Sequence, residues 1–204
     1  MRYLFWIMLA LGAGPAAASL LDQLATDPHA RSVLDAHHIP CQSTGEVSVA
    51  IGELVRLFSH SNLVDHIQSE YARQLPAGER PEFVVKPDGS NRWHYVNKSG
   101  HRSEIHELAR ASDARAGVVE VIYYSRGRRF FGDFRALIHV RIVGDGSGAS
   151  RYTAAVWAYP ESALPRFFAR HLGLVESFFR DKTRELTELS VRICDGLVAT
   201  PRAS

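Results

Sequence analysis

The stretch RRFFGDFRALIHVRIV, residues Arg128–Val143, decides the fold. From Phe134 onward its side chains alternate with a period of two, which is the spacing of a β-strand. One set is wholly apolar and comprises Phe134, Ala136, Ile138, Val140 and Ile142. The other set is mixed and comprises Arg135, Leu137, His139, Arg141 and Val143. We expect the apolar set to face a core and the mixed set to face outward, with Gly132 as a bulge.

Turn residues divide the flanking sequence into further strands. Val118–Tyr124 is rich in β-branched and aromatic residues, and a hairpin turn at Ser125–Gly127 would join it to Arg128–Val143. The glycine-rich turn Gly144–Gly148 precedes a strand at Arg151–Tyr159. Four shorter strands are predicted upstream: Thr44–Ile51, Glu82–Lys86, Arg92–Asn97 and Arg102–Ala109. The pattern therefore predicts an antiparallel sheet of about seven strands.

Helical spacing appears in three places. Leu20–Leu34 predicts short helical turns that stop at Ile39-Pro40. Apolar residues between Gly52 and Leu75 recur every three or four positions, and the break at Ser59–Asn62 divides them into two helices. A last helix is predicted to begin with Ser162 as its N-cap and to stop at Gly196. Its apolar stripe consists of Leu164, Phe167, Phe168, Leu172, Val175, Phe178, Phe179, Leu186, Leu189 and Ile193.

Residues 1–18 have the form of a secretory signal peptide. One positive charge precedes about ten apolar residues, and a small-residue cleavage site ends at Ala18. The apolar run is shorter than the roughly 20 residues of a membrane-spanning helix, so we expect no permanent membrane anchor. We therefore expect export to the periplasm or the extracellular space, with a mature chain that begins at Ser19. Residues 19–43 form a helical lead-in, residues 44–197 one domain, and residues 198–204 a flexible tail.

Export determines how the two cysteines are interpreted. In an oxidising compartment, two cysteines in one chain most simply form a disulfide. We therefore predict a bridge between Cys41 and Cys194. A reactive thiol is the weaker alternative, because there is no Cys-x-x-Cys motif and no charge beside either cysteine that would lower its pKa.

Composition excludes several partners. The 204 residues carry a formal net charge of only +2 and no block of like charge, so we expect no nucleic-acid partner. Nothing in the pattern requires a second subunit, and we expect a monomer. Ten histidines are present, but their spacing matches no metal-binding motif, and no cofactor motif occurs, so we expect neither a metal nor a cofactor. Asn97 begins a glycosylation pattern that matters only in a host that glycosylates exported proteins.

An acid–base enzyme would need a titratable group that faces a cavity. The available candidates are His106, Glu107, Glu120, Asp133 and His139. His139 belongs to the outward set, whereas Glu120 alternates with apolar residues. If Glu120 points inward, it either polarises a ligand or forms half of a buried pair, and exposure to solvent is the default for a carboxylate. The basic run Arg126–Arg129 offers two further interpretations, an anionic head-group or membrane site and a solvated hairpin tip.

The order of elements from Thr44 to Ile193, a strand, two helices, about six strands and one long helix, resembles the helix-grip fold. That fold belongs to the START, plant-allergen and polyketide-cyclase-like superfamily. The resemblance implies an α+β domain whose curved sheet wraps round the C-terminal helix and leaves a chamber for an apolar small molecule. Candidate ligand-binding residues are Phe134, Ile138, Val140, Val156, Phe168, Val175 and Phe179. An aromatic stripe at helical spacing is also what plain core packing produces.

Three functional hypotheses follow. The first is an exported binding or carrier protein that holds a lipid-like molecule between the sheet and the C-terminal helix. The second is a cyclase- or hydrolase-like enzyme that uses a cavity-facing carboxylate or histidine. The third is an exported protein-interaction module.

Overall fold

A computed structural model describes residues 20–36, 38–60, 63–81, 84–96, 100–129, 131–162 and 173–199. Within these residues the strands are β1 (Ile39–Val47), β2 (Val85–Pro87), β3 (Arg92–Val96), β4 (Arg102–Asp113), β5 (Val118–Arg129), β6 (Gly132–Gly144) and β7 (Ser150–Pro160). The helices are α1 (Leu20–Gln23), α2 (Pro28–Leu34), α3 (Ile51–Phe58), α4 (Leu63–Gln74) and α5 (Leu174–Ala199). The strands form one antiparallel sheet in the order β1-β7-β6-β5-β4-β3-β2. The predicted α+β class and the seven-stranded sheet are confirmed.

The register assigns every side chain of the sheet to one of two faces. Val119 on β5 lies opposite Ile142 on β6, and both pack against Leu54 of α3. We call this side the inner face, because α3, α4 and α5 pack against it, and we call the other side the outer face. Two apolar clusters fill the inner side, one near each end of α5. They contain Val175 and Phe179 near its first turn and Cys194 near its last turns.

A β-bulge breaks the alternation of side chains in β4. Glu107 pairs with Tyr123, but Ala109 pairs with Ile122, so Leu108 is an extra residue. Arg110 pairs with Val121 and therefore shares the inner face with Glu107, three residues before it. Strict alternation would have placed Glu107 and Arg110 on opposite faces.

The outer face is covered as well. Leu20 of α1 with Ala30 and Val33 of α2 packs on Ile122 and Leu137 of the sheet. The Asp27 side chain caps α2, accepting hydrogen bonds from the backbone N–H groups of His29 and Ala30 at 2.8 and 2.9 Å. The mixed set of β6 lies on the outer face, as predicted. Its Leu137 is nevertheless fully buried under this helical layer.

The first strand and the central hairpin differ from prediction. The strand predicted at Thr44–Ile51 is β1, which ends at Val47, while Ile51 already begins α3. Pro40, expected to stop a helix, lies within β1, where an edge strand tolerates its missing N–H. The hairpin turn predicted at Ser125–Gly127 is also wrong, because β5 continues to Arg129.

Gly127 stays inside the strand for steric reasons. A Cβ atom there would lie 2.2 Å from the Ser103 Oγ atom, so the position has no room for a side chain. Gly132 forms no bulge within a longer strand but begins β6 with a φ of +102°, which suits glycine at a turn.

The C-terminal helix also differs at both ends. It begins at Leu174, directly after Gly173, whose φ of +64° is not helical, so a continuous helix from Ser162 is wrong. Residues 163–172 lie outside the described residues. At the other end, α5 continues through Gly196 to Ala199, so the predicted stop at Gly196 is wrong as well.

The predicted disulfide is not formed. Both cysteines are free thiols, and they pack in different clusters. Cys41 lies beside Val175 and Phe179, whereas Cys194 is fifteen residues beyond Phe179 on the same helix. That separation is about 22 Å of helix, and a disulfide requires Cα atoms within about 7 Å.

Two predictions about the termini remain untested. The signal peptide of residues 1–18 and residues 200–204 of the tail lie outside the described residues. Among the helices that are described, none combines the length and the hydropathy that crossing a membrane requires.

Candidate ligand-binding site

The middle of α5 is less buried than its two ends. Val175 and Ile193 are 2% and 4% exposed, but Leu186 is 42% exposed. Leu186 lies eleven residues after Val175 and seven before Ile193, which places all three on one side of a helix. Leu186 therefore points in the same direction as the packed residues and meets open space instead of the core.

The sheet is also incompletely covered on this side. Ile138 on β6, which is a central strand, lies opposite Val156 on β7 and Tyr123 on β5, and all three side chains are partly exposed. Val140 on the same face is partly exposed too. We give the name inner cleft to the partly exposed inner surface formed by Tyr123, Ile138, Val140 and Val156, together with Leu186 of α5.

An aromatic cluster packs beside this cleft, near the first turn of α5. The Phe131 ring lies 5.4 Å from the rings of both Phe178 and Phe179, and Phe134 lies 5.7 Å from Phe179. The predicted ligand-binding residues Phe134, Val175 and Phe179 are buried in this packing. The cluster is therefore a wall rather than open lining, while Ile138, Val140 and Val156 line the open part. Phe168 lies outside the described residues.

Three polar side chains converge on the inner face of β4 and β5. Arg110 donates from Nε to Glu107 Oε1 at 3.0 Å and from Nη2 to Glu107 Oε2, which makes a two-bond ion pair. Its Nη1 donates to the backbone oxygen of Phe58, the last residue of α3, at 2.7 Å. Tyr123 lies opposite Glu107 on the neighbouring strand, close enough that both Glu107 and Arg110 act on its phenol. Among our acid–base candidates, Glu107 is thus the one beside the cleft.

Burial sets the protonation of this group. It raises the pKa of the Tyr123 phenol, and the charge of Glu107 raises it further. Burial alone would lower the pKa of Arg110, but the hydrogen bonds and charge of Glu107 outweigh it and raise that pKa. At neutral pH the cleft therefore presents the protonated phenol of Tyr123 beside the ion pair of Glu107 and Arg110.

Arg129 forms a second polar point on the inner face. Its Nη1 donates to Ser103 Oγ at 3.2 Å and to the backbone oxygen of Arg128 at 2.8 Å, and its Nη2 donates to the Tyr95 hydroxyl. The guanidinium carbon lies 5.6 Å from the centre of the Tyr95 ring and 5.4 Å from that of Phe134. The run Arg126–Arg129 is thus not a uniform hairpin tip, because its members face different sides of the sheet.

Glu120 and His139 meet on the outer face, away from the cleft. The His139 Nε2 atom lies 2.7 Å from Glu120 Oε1, and Arg141 Nη1 lies 3.7 Å from Glu120 Oε2. Glu120 is 6% exposed. The default expectation of an exposed Glu120 is therefore wrong, because Glu120 is half of a buried pair, although it lies on the outer face and not toward the cleft.

His106 also lies on the outer face. Its ring is 5.2 Å from that of His29 on α2 and 5.8 Å from that of Tyr124. Burial lowers the pKa of His106, and the positive charges of Arg92 and His29 lower it further. Asp133, the remaining candidate, is half exposed at the sheet edge, 3.9 Å from Arg128.

The structure offers little for metal or thiol chemistry. Across the described ranges, no three His, Cys, Asp or Glu side chains converge as a metal site would require. Burial raises the pKa of the Cys41 thiol and raises that of Cys194 to about 11, with Asp195 adding to the second shift. Both thiols are therefore protonated at neutral pH.

Comparison with known proteins places the fold. No family model matches the sequence, and no curated protein matches it. Among solved structures, a conserved protein from Geobacillus kaustophilus aligns with a TM-score of 0.51 at 9% identity, over 78% of this chain and 95% of that one. A truncated norcoclaurine synthase from Thalictrum flavum aligns with a TM-score of 0.50 at 15% identity, over 81% and 96% of the two chains. The fold is the helix-grip fold.

Ara h 8.0201 is a further structure of similar outline, with a TM-score of 0.49 at 10% identity over 79% of this chain and 98% of that one. At these identities the likeness concerns the helix-grip architecture alone. The residues of the site must therefore be interpreted from their own geometry.

Sequence reasoning missed Arg110 and Tyr123 as site residues, whereas Arg129 belonged to the basic run for which an anionic head-group or membrane site was one of two interpretations. Tyr123 alternates with Val119 and Val121, so a period-two analysis of β5 would have assigned it to the core side. Arg110 carries no such signal, because the bulge at Leu108 reverses the alternation before it. The alternative interpretation of Arg129, a solvated hairpin tip, arose because the turn was placed too early in the chain.

Proposed function

We propose that this protein binds an apolar small molecule in the inner cleft, between the sheet and α5, and acts as a binding or carrier protein. The observation that supports this most directly is the 42% exposure of Leu186 on the inward side of a helix whose ends are buried. Ile138, Val140 and Val156 provide a matching apolar surface on the sheet. Exposed apolar surface that faces inward is what an apolar ligand would cover.

The polar residues of the cleft support binding more than catalysis. Both carboxylate oxygens of Glu107 accept hydrogen bonds from Arg110, and the Tyr123 phenol keeps its proton at neutral pH. A general base needs an oxygen free to accept a proton from its substrate. Among the described residues, Glu107 is the acid–base candidate beside the cleft, and its ion pair with Arg110 weighs against the enzyme hypothesis. The interaction-module hypothesis stays a prediction.

A neutral fluorescent probe tests the proposal. N-phenyl-1-naphthylamine gains emission when it enters an apolar site, and we expect saturable binding by the wild-type chain. Ile138→Trp should fill the cleft and weaken probe binding by about tenfold or more, since the added volume competes with the probe. Absence of saturable binding by the wild type would contradict the proposal.

Val143→Trp is the matched control. Val143 lies on the same strand but on the outer face, and it is 36% exposed. The added indole there should leave probe binding unchanged. Thermal unfolding of both variants checks that each remains folded, so that a loss of binding in Ile138→Trp reports on the cleft.

A further inference from the structure

We propose that α1 and α2 form a pH-sensitive cover, which proton uptake by His29 and His106 releases from the outer face of the sheet while the rest of the domain stays folded. We call residues 20–36 the outer cover. This inference concerns the side of the sheet opposite the inner cleft and does not depend on the proposed function. It is carried by the separate packing of the outer cover, by the two histidines at its contact with β4, and by the charges around them.

The outer cover packs in a cluster of its own. Its buried residues Ala30 and Val33 lie on Ile122 and Leu137, and among the described residues this cluster shares no member with the two clusters of the inner side. The cover consists of helices of four and seven residues, which are too short to be stable without tertiary contacts. Elements that depend on one contact surface open locally at a lower free energy than global unfolding requires. The outer cover can therefore leave the sheet without disrupting the inner core.

Two histidines face each other across this contact. The His29 ring on α2 lies 5.2 Å from the His106 ring on β4, and the Tyr124 ring on β5 lies 4.6 and 5.8 Å from the two. The Asp27 carboxylate of α2 already accepts hydrogen bonds from the backbone N–H groups of His29 and Ala30. Two imidazolium ions at this separation repel each other, and burial makes each charge more costly. Protonation therefore weakens the contact that holds α2 on the sheet.

The charges around His106 also oppose its protonation. Arg92 on β3 lies directly opposite His106. Burial lowers the pKa of His106, and the positive charges of Arg92 and His29 lower it further, while the negative charges of Glu104 and Asp88 offset part of this effect. The closed cover therefore disfavours a proton that the open cover accepts, so a fall in pH shifts the equilibrium toward the open cover.

Hydrogen exchange of the full chain at pH 7 and pH 5, resolved by peptide with mass spectrometry, tests the proposal. Protection compares the intrinsic exchange rate with the measured rate at the same pH. We expect residues 20–36 to be protected about tenfold less than β5 and β6 at pH 5, because the outer cover opens without the sheet. Between pH 7 and pH 5 the protection of the outer cover should fall by about fivefold, since each unit of difference in pKa shifts the opening equilibrium by up to about tenfold.

Variants assign the pH response to the histidine pair. His106→Phe keeps a ring at this position but takes up no proton, so its outer cover should lose less than about twofold in protection between pH 7 and pH 5. Arg92→Gln should also reduce the loss, because it removes a charge that opposes protonation of His106. His60→Phe is the matched control and should keep the wild-type loss. His60 also lies beside a second histidine ring, that of His66 at 5.9 Å, but in the connection between α3 and α4.

Three results would each overturn the proposal. Equal protection of the outer cover and of β5 and β6 at pH 5 would show that they unfold as one unit. Protection of the outer cover that does not change with pH would show that it is no switch, and a wild-type loss in His106→Phe would show that the acid response arises elsewhere. The first two results need no variant, so they decide the question even if His106→Phe does not fold.

Discussion

Gly196 shows how a single residue determines the contact between two helices. A Cβ atom there would lie 2.0 Å from Glu70 Oε1. Glu70 is 5% exposed and cannot readily yield, because its Oε1 accepts hydrogen bonds from Arg73 at 2.6 Å and from Gln74 at 2.8 Å. The hydrogen bond from Arg73 lowers the pKa of this carboxyl. Sequence reasoning took Gly196 for a helix end, whereas close approach of α4 is what requires it.

We therefore expect Gly196→Ala to lower the free energy of unfolding by about 1–3 kcal/mol, because the added methyl group clashes with the fixed carboxylate. Gly52→Ala is the control. Gly52 also lies in a helix, but nothing is within 4 Å of its added Cβ atom, so alanine there should be neutral or stabilising by up to about 1 kcal/mol. Urea unfolding measures both, and equal effects would contradict the steric explanation.

At the scale of elements, strong periodicity predicted helices and strands correctly. Features that depend on where an element lies in the fold were not predicted. The two helices between Gly52 and Leu75 and the central strand β6 follow from spacing alone. The start of β1 does not follow from spacing, because Pro40 predicts the end of a helix unless the strand is known to lie at an edge of the sheet. The docking of α2 on the outer face had no separate signal either, since its short apolar pattern also suits a surface segment.

The contact between α2 and β4 has a predictable dependence on pH. His106 faces His29 of α2, with Tyr124 beside it and Arg92, Glu104 and Asp88 acting on it through charge. Since the folded pKa of His106 lies below its ordinary value of about 6.5, the unfolded chain takes up this proton at a higher pH. Its contribution to stability is full above that value and is lost as the pH falls through the folded pKa.

We expect His106→Phe to reduce the loss of unfolding free energy between pH 7 and pH 5, measured by urea unfolding at each pH. His60→Phe removes a histidine from the connection between α3 and α4 and should keep the wild-type dependence. A His106→Phe variant with the wild-type dependence would show that the acid response arises elsewhere.

As a whole, the molecule has three layers, with α1 and α2 on one side of the sheet and α3, α4 and α5 on the other. The order of elements predicted the sheet and its long helix, because local patterns encode them. It did not predict the Glu107–Arg110–Tyr123 group or the separation of the two cysteines. Those depend on register and on the direction of α5, which only the assembled chain defines.

The separated cysteines give a prediction for the intact molecule. We expect protein isolated from its own host to have the mass of residues 19–204 and to gain two alkyl groups from iodoacetamide in denaturant without reductant. The same reaction without denaturant should be slow, because burial raises the pKa of both thiols. A chain that gains no alkyl group in denaturant would show that Cys41 and Cys194 form a disulfide after all. A mass that includes residues 1–18 would contradict cleavage after Ala18.

The bulge at Leu108 also bears on the length changes that β4 tolerates. Removing Leu108 would place Glu107 and Arg110 two positions apart, so regular alternation would still hold both side chains on the inner face while the strand kept its neighbours. A single-codon deletion at this point would thus straighten the strand and keep the ion pair beside the cleft.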